Sequence, residues 1–120
     1  MKKNISILGS TGSVGVSSLK IIEKKKNLFK INLLSANNNF KLICNQIIKY
    51  NPNAFLISNH EVFKKVKNKF KRKKIKIFHQ FEKNLKIKKS DITITAIPGI
   101  DGLFPTIQMI KKSKKLLIAN

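Results

Sequence analysis

Glycines at positions 9, 12 and 15, with hydroxyl residues between them, form the stretch of this chain whose spacing can do chemistry. It reads Gly9-Ser10-Thr11-Gly12-Ser13-Val14-Gly15. A phosphate is held well by backbone N–H groups that face it with no side chain in the way. Gly9 permits a sharp turn out of a strand, Gly12 lets a pyrophosphate come close, and Gly15 lets a helix pack tightly on a sheet. Ser10, Thr11 and Ser13 add hydroxyl donors, and a helix starting here adds its partial positive charge. A glycine triplet alone is a common turn. Here it directly follows the apolar run Ile5-Ser6-Ile7-Leu8 and opens a helical pattern, which is the setting of a dinucleotide site. The Gly-Lys-Ser/Thr ending of a nucleoside-triphosphate loop is absent.

The loop can work only if the elements around it hold it in place. Residues 13–26 carry Val14, Leu19, Ile21 and Ile22 on a helical face and close in lysines that suit the negative end of a helix dipole. Residues 29–35 read as a second strand. Phe40, Ile43, Ile47 and Ile48 mark a second helix, with Pro52 beyond its end. A third strand is expected over 54–58 and a third helix through Val62, Val66 and Phe70. Short strands are expected over 75–78, 92–97 and 116–119, with a weak helical turn over 81–85 and a helix over 103–110. Strands and helices alternate from end to end. The pattern predicts an α/β fold, a Rossmann-like parallel sheet with helices on both faces, spanning 1–120 as one NADP-binding domain.

The end of the second strand decides between cofactors. NAD-preferring folds place Asp or Glu there, bonded to the ribose 2′-hydroxyl. This chain has Ser35-Ala36-Asn37-Asn38-Asn39 and no acid between Glu23 and Glu61. A 2′-phosphate would meet amide donors, a hydroxyl and Lys41, so Ala36, Asn37, Asn38 and Asn39 are assigned to NADPH.

Composition bounds the other possibilities. The formal net charge is +21, yet the 26 basic residues include one arginine, Arg72. Specific base recognition and bidentate phosphate contacts lean on arginine. The lysines spread through most helical segments rather than gathering on one face, so they read as a solvated surface rather than a nucleic-acid site. Richness in Ile, Asn and Phe fits an A+T-rich coding sequence; balanced base composition in the gene would contradict that origin. The apolar runs are strand-sized, far below the roughly 20 residues of a membrane span. Met1-Lys2-Lys3-Asn4 is basic, but no signal-length apolar stretch follows it. The single cysteine, Cys44, reads as helix packing in a reducing compartment. The five acids are scattered, with no metal-site spacing, and His60 and His79 are expected at the surface or at helix starts. Two rivals stay open on the residues alone: another NADP-binding reductase, of the dihydrodipicolinate or semialdehyde type, and a basic nucleic-acid-binding module.

The segment Ile7-Leu8-Gly9-Ser10-Thr11-Gly12-Ser13-Val14-Gly15 resembles the opening of the 1-deoxy-D-xylulose 5-phosphate reductoisomerase family. The resemblance continues in Ala96-Ile97-Pro98-Gly99-Ile100-Asp101-Gly102-Leu103, in Pro105-Thr106, and in Leu117-Ile118-Ala119-Asn120. It implies NADPH-dependent isomerisation and reduction of a sugar phosphate to 2-C-methyl-D-erythritol 4-phosphate, in isoprenoid precursor synthesis. It also implies NADPH held by Thr11, Gly12, Ser13 and Val14, beside the Gly9 and Ser10 read from the loop itself, by the 37–39 turn and by Asn120, with Ala96, Ile97 and Pro98 at the nicotinamide end. The family continues past the residue matching Asn120 with a Lys-Glu pair, then an acidic cluster for Mg or Mn, a lid and substrate-phosphate ligands. The chain is therefore expected to be the cofactor-binding part, inactive alone, with no catalytic or metal residue of its own. A cytoplasmic homodimer, or a plastid-type location in a eukaryote, completes what the resemblance implies.

Overall fold

The computed structural model describes residues 1–81 and 85–119. The chain opens with β1 (Lys3–Leu8), whose last four residues are buried, and turns at Gly9 into α1 (Ser13–Lys24). The helix buries Gly15, Leu19 and Ile22, one stripe at helical spacing. Next come β2 (Phe29–Ala36), α2 (Phe40–Tyr50), β3 (Ala54–Ile57) and α3 (His60–Lys69). Asparagines start and stop these helices. The Asn39 side chain accepts from the Leu42 N–H at 3.2 Å, and the Asn59 side chain from the Val62 N–H at 3.0 Å. Asn51, left-handed at φ 48°, ends α2 just before Pro52. The chain closes with β4 (Lys76–Phe78), β5 (Ser90–Thr95), a short 3₁₀ turn, α4 (Leu103–Ile110) and β6 (Ser113–Ile118).

All described strands pair in parallel, in the order β4-β3-β2-β1-β5-β6. The chain starts at the centre, adds three strands to one side and then two to the other. Right-handed crossovers in opposite directions put helices on opposite faces. The core divides accordingly. Leu19 and Ile22 of α1, Ile43, Cys44 and Ile47 of α2 and Val66 of α3 pack on Ile5, Ile7, Leu34, Phe55 and Ile57. Met109 of α4 and Leu85 pack on Leu8, Leu33, Ala54 and Leu56. The expected sheet with helices on both faces is what forms.

The boundaries differ in instructive ways. β5 starts at Ser90 rather than 92, because the Ser90 hydroxyl is bonded to Ser6 at 2.6 Å and to the Asn32 amide at 3.0 Å. β6 starts at Ser113 rather than 116, since its first half is the exposed pair Lys114 and Lys115 on an edge strand. Three of the five residues of the weak turn expected over 81–85, residues 82–84, lie outside the described residues.

Candidate cofactor site

β1 lies between β2 and β5, where the direction of strand addition reverses, and such a switch point opens a crevice at the carboxyl ends of the strands. A cleft of about 770 Å³ lies there. Gly9, Thr11 and Gly12 line it from the loop after β1, Ser35, Ala36 and Asn37 from the end of β2, and Ala96, Ile97 and Pro98 from the segment after β5. Its volume is that of a small-molecule site.

The loop geometry gives each glycine a cause. The Gly9 and Ser10 N–H groups both donate to the Ser35 carbonyl, at 3.0 and 2.8 Å, which fastens the loop to β2. Gly9 takes a φ of +82°, and a Cβ there would come within 3.0 Å of Ile97 Cγ1. At Gly15 a Cβ would lie 2.7 Å from the Ser10 Cα and closer still to the Gly9 carbonyl oxygen, so only hydrogen lets α1 sit against the loop. Gly12 is different. A Cβ there would meet nothing nearer than the Gly9 oxygen at 3.8 Å, so its side faces open space. It begins α1 with no side-chain cap, which leaves first-turn N–H groups for an anion.

Not every expected residue turns its side chain to the cleft. Ser10 is buried; its hydroxyl donates to Gln46 Oε1 at 2.7 Å, and Gln46 Nε2 donates back to the Ser10 carbonyl at 2.9 Å. Ser10 therefore braces the loop against α2 and offers no donor to the cleft. The Ser13 and Val14 side chains do not line the cleft either, which leaves their place in the first helical turn as their contribution. Asn39 spends its side-chain oxygen capping α2, and Asn38 is exposed outside the cleft lining. Asn37 remains. Its side-chain oxygen accepts from the Ser58 hydroxyl at 3.0 Å, which turns the rest of the amide into a donor group. Among the described residues no acid lines this end of the cleft; the carboxylate that lines it elsewhere, Asp101, comes from the turn before α4. Asn120 lies outside the described residues.

The fold adds residues that periodicity did not find. Ser58, His79, Gln80 and Phe81 extend the cleft past β3 and β4. His79 is half-buried, its Nδ1 donating to the Ile57 carbonyl at 3.0 Å, with its ring centre 5.1 Å from those of His60 and Phe63. Its position just after a strand was the available signal. Gln46 carried another, as a polar residue on the buried stripe of α2 beside Ile43 and Ile47.

Among the described residues, two titratable groups are shifted, both away from the loop. Burial pushes the Cys44 thiol up, with Lys69 pulling weakly the other way, so it is an inert packing group as expected. The Asn4 N–H donates to the Asp91 carboxylate at 2.7 Å and holds it below the usual range, helped by Lys114 at 3.3 Å. Among the described residues, no three His, Cys, Asp or Glu side chains converge to hold a metal ion. No described helix is long and apolar enough to cross a membrane.

The family model described as 1-deoxy-D-xylulose 5-phosphate reductoisomerase matches residues 5–120. The chain belongs to this family. The reductoisomerase of Pelagibacter ubique is 39% identical over 122 residues, covering 98% of this chain and 31% of its own length. That of Phocaeicola vulgatus is 37% identical, covering 100% and 32%. The chain thus spans about a third of the length of these relatives. The Zymomonas mobilis reductoisomerase, solved in complex with NADPH, superposes with a TM-score of 0.87 at 25% identity, over 100% of this chain and 32% of that one. A reductoisomerase solved with magnesium gives 0.84 at 25% identity, over 100% and 31%. Family membership removes the rival reductases as readings of the fold.

Proposed function

We propose that this chain is the NADPH-binding part of a 1-deoxy-D-xylulose 5-phosphate reductoisomerase, which converts its sugar phosphate to 2-C-methyl-D-erythritol 4-phosphate. The observation that carries the reading is the open, uncapped start of α1 at Gly12, set beside an acid-free end of β2. Thr11, Gly12 and the first turn of α1 would hold the pyrophosphate. Asn37, aimed by Ser58, would meet the 2′-phosphate where a carboxylate would repel it. Ala96, Ile97 and Pro98 would bound the nicotinamide and keep water from that end. Bound NADPH supplies a hydride; these residues orient it and take no part in bond making.

The described residues do not fit a catalytic metal, so no step is assigned to one here. The relative solved with magnesium supports a divalent ion, Mg or Mn, held by other residues of the whole enzyme, which we place in the cytoplasm as a homodimer. The test is a chimera in which this chain replaces the matching third of the Pelagibacter ubique enzyme. NADPH oxidation that depends on the sugar phosphate is the expected result. A folded chimera that binds neither NADPH nor substrate productively would overturn the proposal.

A further inference from the structure

A second cavity, of about 390 Å³, lies at the opposite end of the sheet. It takes in Ala54 and Lys76, the first residues of β3 and β4, whereas the cofactor cleft takes in Ser58 and His79 beyond their ends. Four strand residues of about 3.3 Å each separate Ala54 from Ser58, so the two sites are on the order of 13 Å apart. Lys73, Lys74, Lys76 and Lys88 surround this cavity, and no described residue lining it carries a carboxylate. Four lysines around one cavity make a local excess of positive charge, which a multiply charged anion offsets.

The floor is built rather than accidental. Asn32 is 1% exposed, in a strand whose neighbours are apolar. Its amide nitrogen donates to the Lys88 carbonyl at 2.8 Å and to the Ser90 hydroxyl at 3.0 Å, while its oxygen accepts from Asn53 at 3.2 Å. This network fixes the backbone of Lys88 against β2. Lys76 Nζ donates to the Lys86 carbonyl at 3.4 Å, which ties the start of β4 to the same segment. Asn53, half-buried at the cavity, keeps a second amide hydrogen to offer.

We propose that this cavity is a second anion site, specific for a compact polyphosphate such as inorganic pyrophosphate and separate from the cofactor cleft. Lysine suits this task, as a point charge that needs no planar partner. These four line one cavity beside the buried Asn32 network.

The probe is inorganic pyrophosphate, titrated into the 120-residue chain by calorimetry at about 0.15 M salt, where long-range attraction is screened within about 8 Å. A saturable site that depends on these lysines is expected, besides any binding at the glycine loop. The variant K73Q/K74Q/K88Q, with all three changes at exposed positions, should bind at least about tenfold more weakly. The control K24Q/K25Q/K26Q removes the same charge elsewhere and should stay within about twofold. Gly12→Val should remove any binding at the glycine loop and leave the lysine-dependent site intact. Equal weakening by both triple variants would show attraction to net charge alone and overturn the proposal. So would loss of binding in Gly12→Val, which would place the anion at the glycine loop. Absence of a saturable site, or duplex DNA binding that both triple variants weaken alike, would overturn it too.

Discussion

Replacing Gly12 with valine separates cofactor binding from folding. Gly12 has φ −78° and ψ 173°, a conformation any residue adopts, and a Cβ there meets nothing within 3.8 Å. Valine is a poorer helix start than glycine, at a cost of about 0.5–1 kcal/mol, but it also restricts the unfolded chain, a gain of about 0.4–1 kcal/mol. Those terms nearly cancel, so the melting temperature should move by no more than about 3 °C. Binding should respond far more. The branched side chain would fill the space a pyrophosphate needs and block about two charge-assisted N–H bonds, each worth about 1.5–3 kcal/mol. That is roughly 3–6 kcal/mol, or about 10²–10⁴ in affinity. The assay pairs NADPH fluorescence titration with thermal unfolding of wild type and variant. Unchanged affinity would place the phosphate elsewhere. A melting temperature that falls as steeply as affinity would refute the claim that Gly12 faces open space.

Gly15→Ala should do the reverse, because the new Cβ lies 2.7 Å from the Ser10 Cα. A loss of about 1–3 kcal/mol in stability, read by denaturant unfolding, should exceed the helix-propensity gain of about 1 kcal/mol. Asn37→Asp should weaken NADPH at least about tenfold while sparing or improving NADH, since a carboxylate repels the 2′-phosphate and accepts from a ribose hydroxyl; direct titration of both cofactors checks this. Asp91 has its folded pKa lowered by the Asn4 N–H and Lys114, so its stabilisation is complete above the ordinary value of about 3.9 and fades as pH falls through the lower folded value. Melting curves of wild type and Asp91→Asn should therefore differ near pH 7 and converge in acid. Cys44 should resist thiol reagents in the folded chain and react on unfolding, because it is 6% exposed and its thiol is pushed up by burial.

Much of this architecture can be read along the chain. Apolar runs such as Ile5–Leu8 and stripes such as Leu19 with Ile22 carry their own periodicity, and the glycine loop falls between them. What could not be read depends on pairs far apart in sequence. Ser10 is a loop hydroxyl, and nothing local says that Gln46, 36 residues on, turns it inward. Asn39 looks like one more amide of a binding turn, until α2 begins one residue later and takes its side chain as a cap. Ser58 and His79 reach the cleft because β3 stops beside β2 and β4 beside β3, a matter of strand order. The start of β6 was hidden because Lys114 and Lys115 are strand residues whose apolar requirement is waived on an exposed edge.

The central claim is that the cleft at the β1–β2–β5 switch point holds NADPH. Backbone amide shifts of the isotopically labelled chain, recorded while NADPH is added, test it most directly. The largest saturable changes are predicted at Thr11, Gly12, Ser13, Val14, Asn37 and Ile97, with little change at Lys73 or Lys88. Changes spread over the lysine surface, or centred on the far end of the sheet with the loop unmoved, would contradict it.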